Sequence, residues 1–217
     1  VLADLHSKAI WGQDSISLPI LGTETTVNSF NRAQIIKYVC SRYIPENSVI
    51  SIAGKLDEAS VEKLVYKYFG SWKSTNKKLT CYSAPKQLKE HLYKRKNIEQ
   101  LHISLGIPGI QTGDEDLYTL LLLSNVFGGG ASSLLFQKIR EEKGMCYSIY
   151  SYIAAFNNTG VVSIYTSLNP RYAEQVVLHI KDEINKFIDH GISDNKLLKA
   201  KEQLKGSYIL GLESTSS

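Results

Sequence analysis

Residues 128–151 read GGGASSLLFQKIREEKGMCYSIYS, and the elements on either side are best read outward from this stretch. Gly128-Gly129-Gly130 forms a loop, and Ser132 to Lys143 carries helical spacing. Lys143-Gly144 is a tight turn, and the aromatic-rich run from Tyr147 reads as a strand. Before it, Asp114 to Phe127 is an unusually apolar helix (Leu117, Leu120 to Leu123, Val126), expected to be buried nearly all round. Earlier still, Leu101, Ile103, Leu105 and Ile107 alternate with His102, Ser104 and Gly106, the pattern of a half-buried strand. After it, Tyr147 to Ala155 and Val161 to Thr166 flank Asn157-Asn158-Thr159-Gly160 as a hairpin. Two helices follow. One has the stripe Tyr172, Val176, Ile180, Ile184, Phe187 and stops at Gly191; the other starts at Ser193 with Leu197, Ala200, Leu204 and Tyr208.

Nearer the N-terminus, Val1 to Trp11 is helical and stops at Gly12. Asn31-x-x-Gln34 has the form of a capping box, with Ile35, Ile36, Val39 and Tyr43 behind it. Val49 to Ala53 reads as a short apolar strand. Asp57 then caps a helix with the face Val61, Leu64, Val65, Tyr68 and Phe69, closed by Gly70. From Ser71 to Lys96 the periodicity weakens into linker character. Val49-Ile50-Ser51-Ile52 through Leu56, Glu62 and Val65 is echoed at constant offset by Val161-Val162-Ser163-Ile164 through Leu168, Glu174 and Val177. The echo suggests a duplicated unit. The expected fold class is α+β: two similar α/β-sandwich domains with antiparallel-rich sheets and packed helices. The expected spans are residues 1–75, the C-terminal part of a first domain; 76–96, a linker; and 97–217, a second domain. Val1 falls inside an amphipathic segment and the last helix has no evident stop, so the chain is expected to be a piece of a longer protein.

Bulk composition narrows the functions. The 217 residues are 43% hydrophobic and 21% charged with a net charge of +4, as in ordinary globular chains. No apolar run approaches the ~18 residues a membrane span needs. The densest basic stretch, Lys86 to Lys96, is interleaved with Glu90 and apolar residues and carries no nucleic-acid motif. Cys40, Cys81 and Cys146 are far apart and make no C-x-x-C pair, which fits a reducing compartment. Cys146 is expected to be a buried structural thiol. The five histidines, His6, His91, His102, His179 and His190, form neither H-E-x-x-H nor H-x-x-E-H, so no metal ligand is assigned within the chain. His179 and Glu183, at i,i+4, read as a surface pair. His102 is expected to face solvent or a domain contact. Gly128-Gly129-Gly130 precedes a helix and so has the elements of a phosphate cradle, but it follows a helix and no Lys-Ser/Thr comes after it; an inter-helix loop fits better. Arg140 and Tyr147 read as a helix C-terminal cation and a strand aromatic. The turn between them can also bring them together as a clamp for a carbonyl or oxyanion.

The 128–151 stretch closely resembles the second-domain signature of the insulinase/pitrilysin superfamily of zinc metallopeptidases, particularly the bacterial and mitochondrial processing peptidases. Pro19-Ile20-Leu21-Gly22-Thr23 with Ser29, Tyr43-x-Pro45-Glu46-Asn47 into Val49 to Gly54, and Lys201-x-Gln203-Leu204-Lys205-Gly206 before Leu212 to Ser217 are similar to other segments of that family, in the same order. The resemblance implies a zinc endopeptidase whose Zn2+ is held by H-x-x-E-H and a downstream Glu lying before Val1. It implies peptide or presequence substrates bound as an added strand, and a second subunit of the same fold in a homo- or heterodimer. Arg140 and Tyr147 match the Arg and Tyr that reach substrate from the second domain, and Gly128, Gly129 and Gly130 fall where some subunits have a substrate-contacting glycine-rich loop. Leu134 departs from the family, which usually has Arg there. A non-catalytic partner or core subunit of the same fold is the alternative the resemblance leaves open. A cytoplasmic location is expected, or the mitochondrial matrix in a eukaryote.

Overall fold

The computed structural model describes residues 1–75 and 82–213. In chain order its elements are α1 (Leu2–Trp11), α2 (Glu24–Ser29), α3 (Arg32–Arg42), α4 (Glu58–Phe69), β1 (Leu101–Pro108) and α5 (Leu117–Gly128). A π-helical segment, Phe136–Glu141, comes next, then β2 (Cys146–Ala155), β3 (Gly160–Leu168), α6 (Ala173–His190) and α7 (Asp194–Gly211). The chain divides into two compact units, one of residues 1–18 with 83–210 and one of residues 19–82 with the chain from 211.

The first unit is an antiparallel sheet with helices on it, in the order β1-β3-β2. Leu105 stands opposite Ile164 and Ile153 opposite Val162. Because side chains alternate along a strand, one sheet face collects Leu101, Ile103 and Leu105 with Ile149, Ile164 and Leu168. That face packs on Phe127 of α5, Leu135, Ile139, and Val176 and Ile180 of α6, the stripe read from the sequence. β3 sits in the middle and is buried along most of its length. Its neighbours satisfy its backbone on both edges, which is why an apolar run with little alternation is stable there.

The opposite face of the sheet receives α1. His6 Nε2 lies 2.8 Å from Ser163 Oγ, with both side chains buried. A Cβ on Gly106 would come within 2.6 Å of Ile10 Cδ1, so any side chain there would require Ile10 to shift. Ile10 and Trp11 complete a small core with Val161, and the Trp11 ring meets Phe156 edge-on at 5.5 Å. Residues 83–88 follow this seam. The Leu88 amide donates to Ile10 O at 2.6 Å, Gln87 Nε2 donates to Gly160 O at 2.9 Å, and Asn158 Nδ2 donates to Ser83 O at 2.8 Å. Two expectations change accordingly. The N-terminal helix, read with residues 12–75, packs on the later sheet. Residues 83–88, read as linker, are held by hydrogen bonds; residues 76–81 lie outside the described residues.

The second unit is helical. α3 begins with the expected capping box, Gln34 N donating to Asn31 Oδ1 at 3.0 Å and Asn31 N to Gln34 Oε1 at 2.9 Å. α4 begins at Asp57, whose carboxylate accepts from Ser60 N at 3.0 Å. The stripes behind these caps (Ile35, Ile36 and Val39; Leu64 and Tyr68) are exposed. Val49 to Ala53, expected as a strand, is not one. A strand exists by its ladder, and no described segment pairs with it. Thus the echo survives in the helix α4 and lapses in the strand before it. α5 also differs from expectation. Ser124 and Val126 to Gly128 are buried, whereas Tyr118 is 76% exposed, because only the last turn of the helix reaches the sheet. No helix among the described residues is long and apolar enough to cross a membrane.

Candidate substrate-contact site

The segment between α5 and β2 positions the expected residues. Leu135 and Ile139 are fully buried and anchor it to the core. Four residues apart, they fix one face inward and leave Phe136 and Arg140 on another. The carbon centre of the Arg140 guanidinium lies 4.5 Å from the centre of the Phe136 ring, a cation–π contact. Within the helical stretch expected over Ser132 to Lys143, Phe136–Glu141 is π-helical rather than α-helical, Glu142 N donating to Gln137 O at 2.9 Å. Nothing in the apolar spacing distinguishes the two, and π turns recur at functional sites. The chain then reverses. Gly144 N donates to Arg140 O at 3.0 Å and Met145 N to Ile139 O at 3.1 Å, with Gly144 at φ +61°.

Tyr147 sits at a bulge. Cys146 pairs with Leu168 and Ser148 with the adjacent Ser167, so Tyr147 is the extra residue of β2 and has no partner across the ladder. It is 56% exposed. The reversal brings the start of β2 close enough to Arg140 that its positive charge acts on the Cys146 thiol. Burial dominates there, raising the thiol above its ordinary range, while a Thr166 hydrogen bond and Arg140 pull the other way. Cys146 is therefore the buried thiol the sequence suggested. Among the described residues no hydrogen bond joins Arg140 to Tyr147, and neither side chain is hydrogen-bonded or ion-paired to another group. Both keep their donors available.

Tyr147 also lines a small cleft of about 140 Å³ with Asn169, Arg171 and Tyr172. Sequence reasoning passed over Arg171 and Asn169. Their available signal was Asn169-Pro170-Arg171 directly after a strand, where Asn169 Oδ1 accepts from Arg171 N at 3.1 Å and starts a short helical turn. The Arg171 guanidinium stacks 4.5 Å over Tyr172.

The three glycines separate into different roles. Gly128 is buried, and a Cβ there would run into the backbone N and the Oγ of Ser151. The contact is reinforced by Ser151 Oγ donating to Ser124 O at 2.9 Å. A Cβ on Gly129 would strike Asn125, and Gly130 faces open space. Gly128 meets β2 at Ser151, four residues beyond Tyr147, which is roughly 13 Å along a strand. Arg140 and Tyr147 thus share one turn, and the glycines lie further along the sheet. Leu134 packs against the main core. Glu183 pairs with Lys186 at 2.8 Å and not with His179, since the nearer lysine supplies a full charge. His102, read as facing solvent or a domain contact, is half-buried with its Nδ1 2.8 Å from the Tyr165 hydroxyl.

Among the described residues no three His, Cys, Asp or Glu side chains cluster as metal ligands would. These donors do not fit a zinc site, and no chemical step is assigned to a metal held here.

Comparison with known proteins identifies the family and the fold. A family profile described as the peptidase M16 inactive domain matches residues 29–204. The chain is 40% identical, over its whole length and 53% of the relative's, to a Bacillus subtilis protein named as the uncharacterized zinc protease YmxG. It is 32% identical to a similarly named zinc protease of Streptomyces coelicolor, covering 99% of this chain and 48% of that one. The chain spans about half the length of the curated relatives it matches. Among solved structures, the peptidase M16 inactive domain from Pseudomonas fluorescens superposes with a TM-score of 0.84 at 23% identity, over 95% of this chain and 50% of that one. A protease from Helicobacter pylori superposes with a TM-score of 0.80 at 23% identity, over 90% and 49%.

Proposed function

Because the chain belongs to the peptidase M16 inactive-domain family, we propose that it is the part of a zinc endopeptidase that grips the peptide, with the metal held by residues outside it. The observation that carries this reading is that Arg140 and Tyr147 flank one chain reversal with side-chain donors uncommitted among the described residues, Arg140 on a segment anchored by buried Leu135 and Ile139 and Tyr147 next to buried Cys146. The guanidinium and the phenol hydroxyl donate hydrogen bonds to a peptide carbonyl oxygen, and these bonds strengthen as negative charge grows on that oxygen. Arg140 stays charged throughout, so its contribution does not depend on proton transfer. Phe136 holds the guanidinium by its face and leaves the edge N–H groups for substrate. Arg171, lining the cleft with Tyr147, offers a second cation to the same peptide. Gly130, with open space around it, lets an extended chain approach the backbone.

The partners in this reading are a peptide or presequence and a second subunit of the same fold, whose half encloses the substrate. The test uses the intact protein and a quenched fluorogenic peptide. Arg140→Ala and Tyr147→Phe are each expected to lower turnover by about a hundredfold, the usual cost of losing one such donor, with the circular dichroism spectrum and melting temperature unchanged. Parental turnover in both variants would remove the assigned roles.

A further inference from the structure

A second cleft, away from Arg140 and Tyr147, lies between the turn after α5 and the first turns of α7. We propose that it binds a compact oxyanion, either a carboxylate or a phosphate group. Its volume is about 300 Å³, and its polar lining includes Asn125, Ser132, Ser133, Lys196, Lys199 and Gln203. Val126 and Ala200, both buried, form apolar parts of the wall.

Three observations converge on an anion. Ser133 is a lining residue only 2% exposed, and its buried hydroxyl has no hydrogen-bond partner among the described residues. Buried hydroxyls are normally satisfied, so a lone one in a cleft wall points to a missing ligand. Lys196 and Lys199 are one turn apart on α7, neither has an ion-pair partner among the described residues, and no carboxylate lines the cleft. α7 is 18 residues long and presents its N-terminal end here through Ser193, Asn195 and Lys196. The unpaired N–H groups and dipole of a helix start favour negative charge. Asp194 occupies the same first turn but does not line the cleft. The lining thus supplies hydroxyl, amide and ammonium donors around one opening, a set suited to the several oxygens of a small anion and poorly suited to a cation or an apolar group. The inference is independent of the peptidase reading.

Isothermal titration of the intact protein with inorganic phosphate, with acetate and with neutral acetamide tests it. Saturable binding of phosphate or acetate in the range of about 1 mM is expected, with none of acetamide. Binding by phosphate alone assigns a phosphate ligand, and binding by acetate assigns a carboxylate. Lys196→Gln combined with Lys199→Gln is expected to weaken the bound anion about tenfold or more, and Ser133→Ala about threefold, with melting temperatures near the parent's. The proposal is overturned if neither anion binds saturably up to about 50 mM, if acetamide binds as well as acetate, or if binding is unchanged by the lysine pair.

Discussion

Gly128 and Gly130 are the same residue type two positions apart, yet the structure asks different things of them. Gly128 is compressed against Ser151, so its missing side chain is a packing requirement. Gly130 has nothing within 4 Å of where a Cβ would stand. Gly128→Ala is therefore expected to destabilise the protein by ~1–3 kcal/mol, as overpacking does. Gly130→Ala should fall within about 0.5 kcal/mol of the parent. Chemical denaturation of the two variants separates them, and peptide KM reads whether Gly130 also touches substrate. Equal stability losses would mean that the loop as a whole, and not the α5–β2 contact, sets the demand. Leu134, expected from the resemblance to be an Arg, packs against the core, whereas Arg140 is exposed.

Among the elements, α1 is the least expected. Its amphipathic pattern was legible, as was its stop at Gly12, but its docking surface was not. That surface depends on Gly106 and Ser163, small residues on a strand face whose importance appears only once a helix rests on them. His6 ties helix to sheet, and burial depresses its pKa below the ordinary imidazole value while the Ser104 carbonyl opposes that shift more weakly. A depressed value means the folded protein favours neutral His6. Its contribution is complete above the unfolded value, near pH ~6.5, and is lost as pH falls below it. Thermal unfolding of the intact protein from pH 8 to pH 5 should show a steeper loss of stability in the parent than in His6→Gln. Parallel slopes would mean that protonated His6 is accommodated at this seam. β1, β2, β3 and α6 were read directly because their periodicities are strong and their partners lie within the chain. Val49 to Ala53 was misread for the opposite reason: its composition is strand-like, but composition cannot supply a ladder. The π turn at Phe136 to Glu141 was also hidden, since Leu135 and Ile139 have the same spacing in either helix type.

For the whole molecule, the sequence carried the antiparallel α+β character. The turn at Lys143-Gly144 that separates Arg140 from Tyr147 was also legible. The sequence did not show the cleft partners Asn169 and Arg171, or the Ser133 and α7 cleft. Both clefts are lined by residues far apart in sequence, some supplied by short turns with no periodicity. The two units differ in how fully they bury their apolar residues. The unit built on β1, β2 and β3 closes a core around Leu135, Ile139, Ile164 and Leu168. The helical unit leaves Ile20, Leu21, Val49 and the stripes of α3 and α4 exposed.

The most direct test of the peptidase account is metal content measured together with activity in the intact protein. The account predicts about one zinc per chain, cleavage of a fluorogenic peptide that stops on chelation, and recovery when zinc is restored. Stoichiometric zinc with chelator-sensitive cleavage would establish this chain as the substrate-gripping portion of an active enzyme. Neither zinc nor cleavage, at any protein concentration, would contradict the account and make the protein a partner subunit of the same fold.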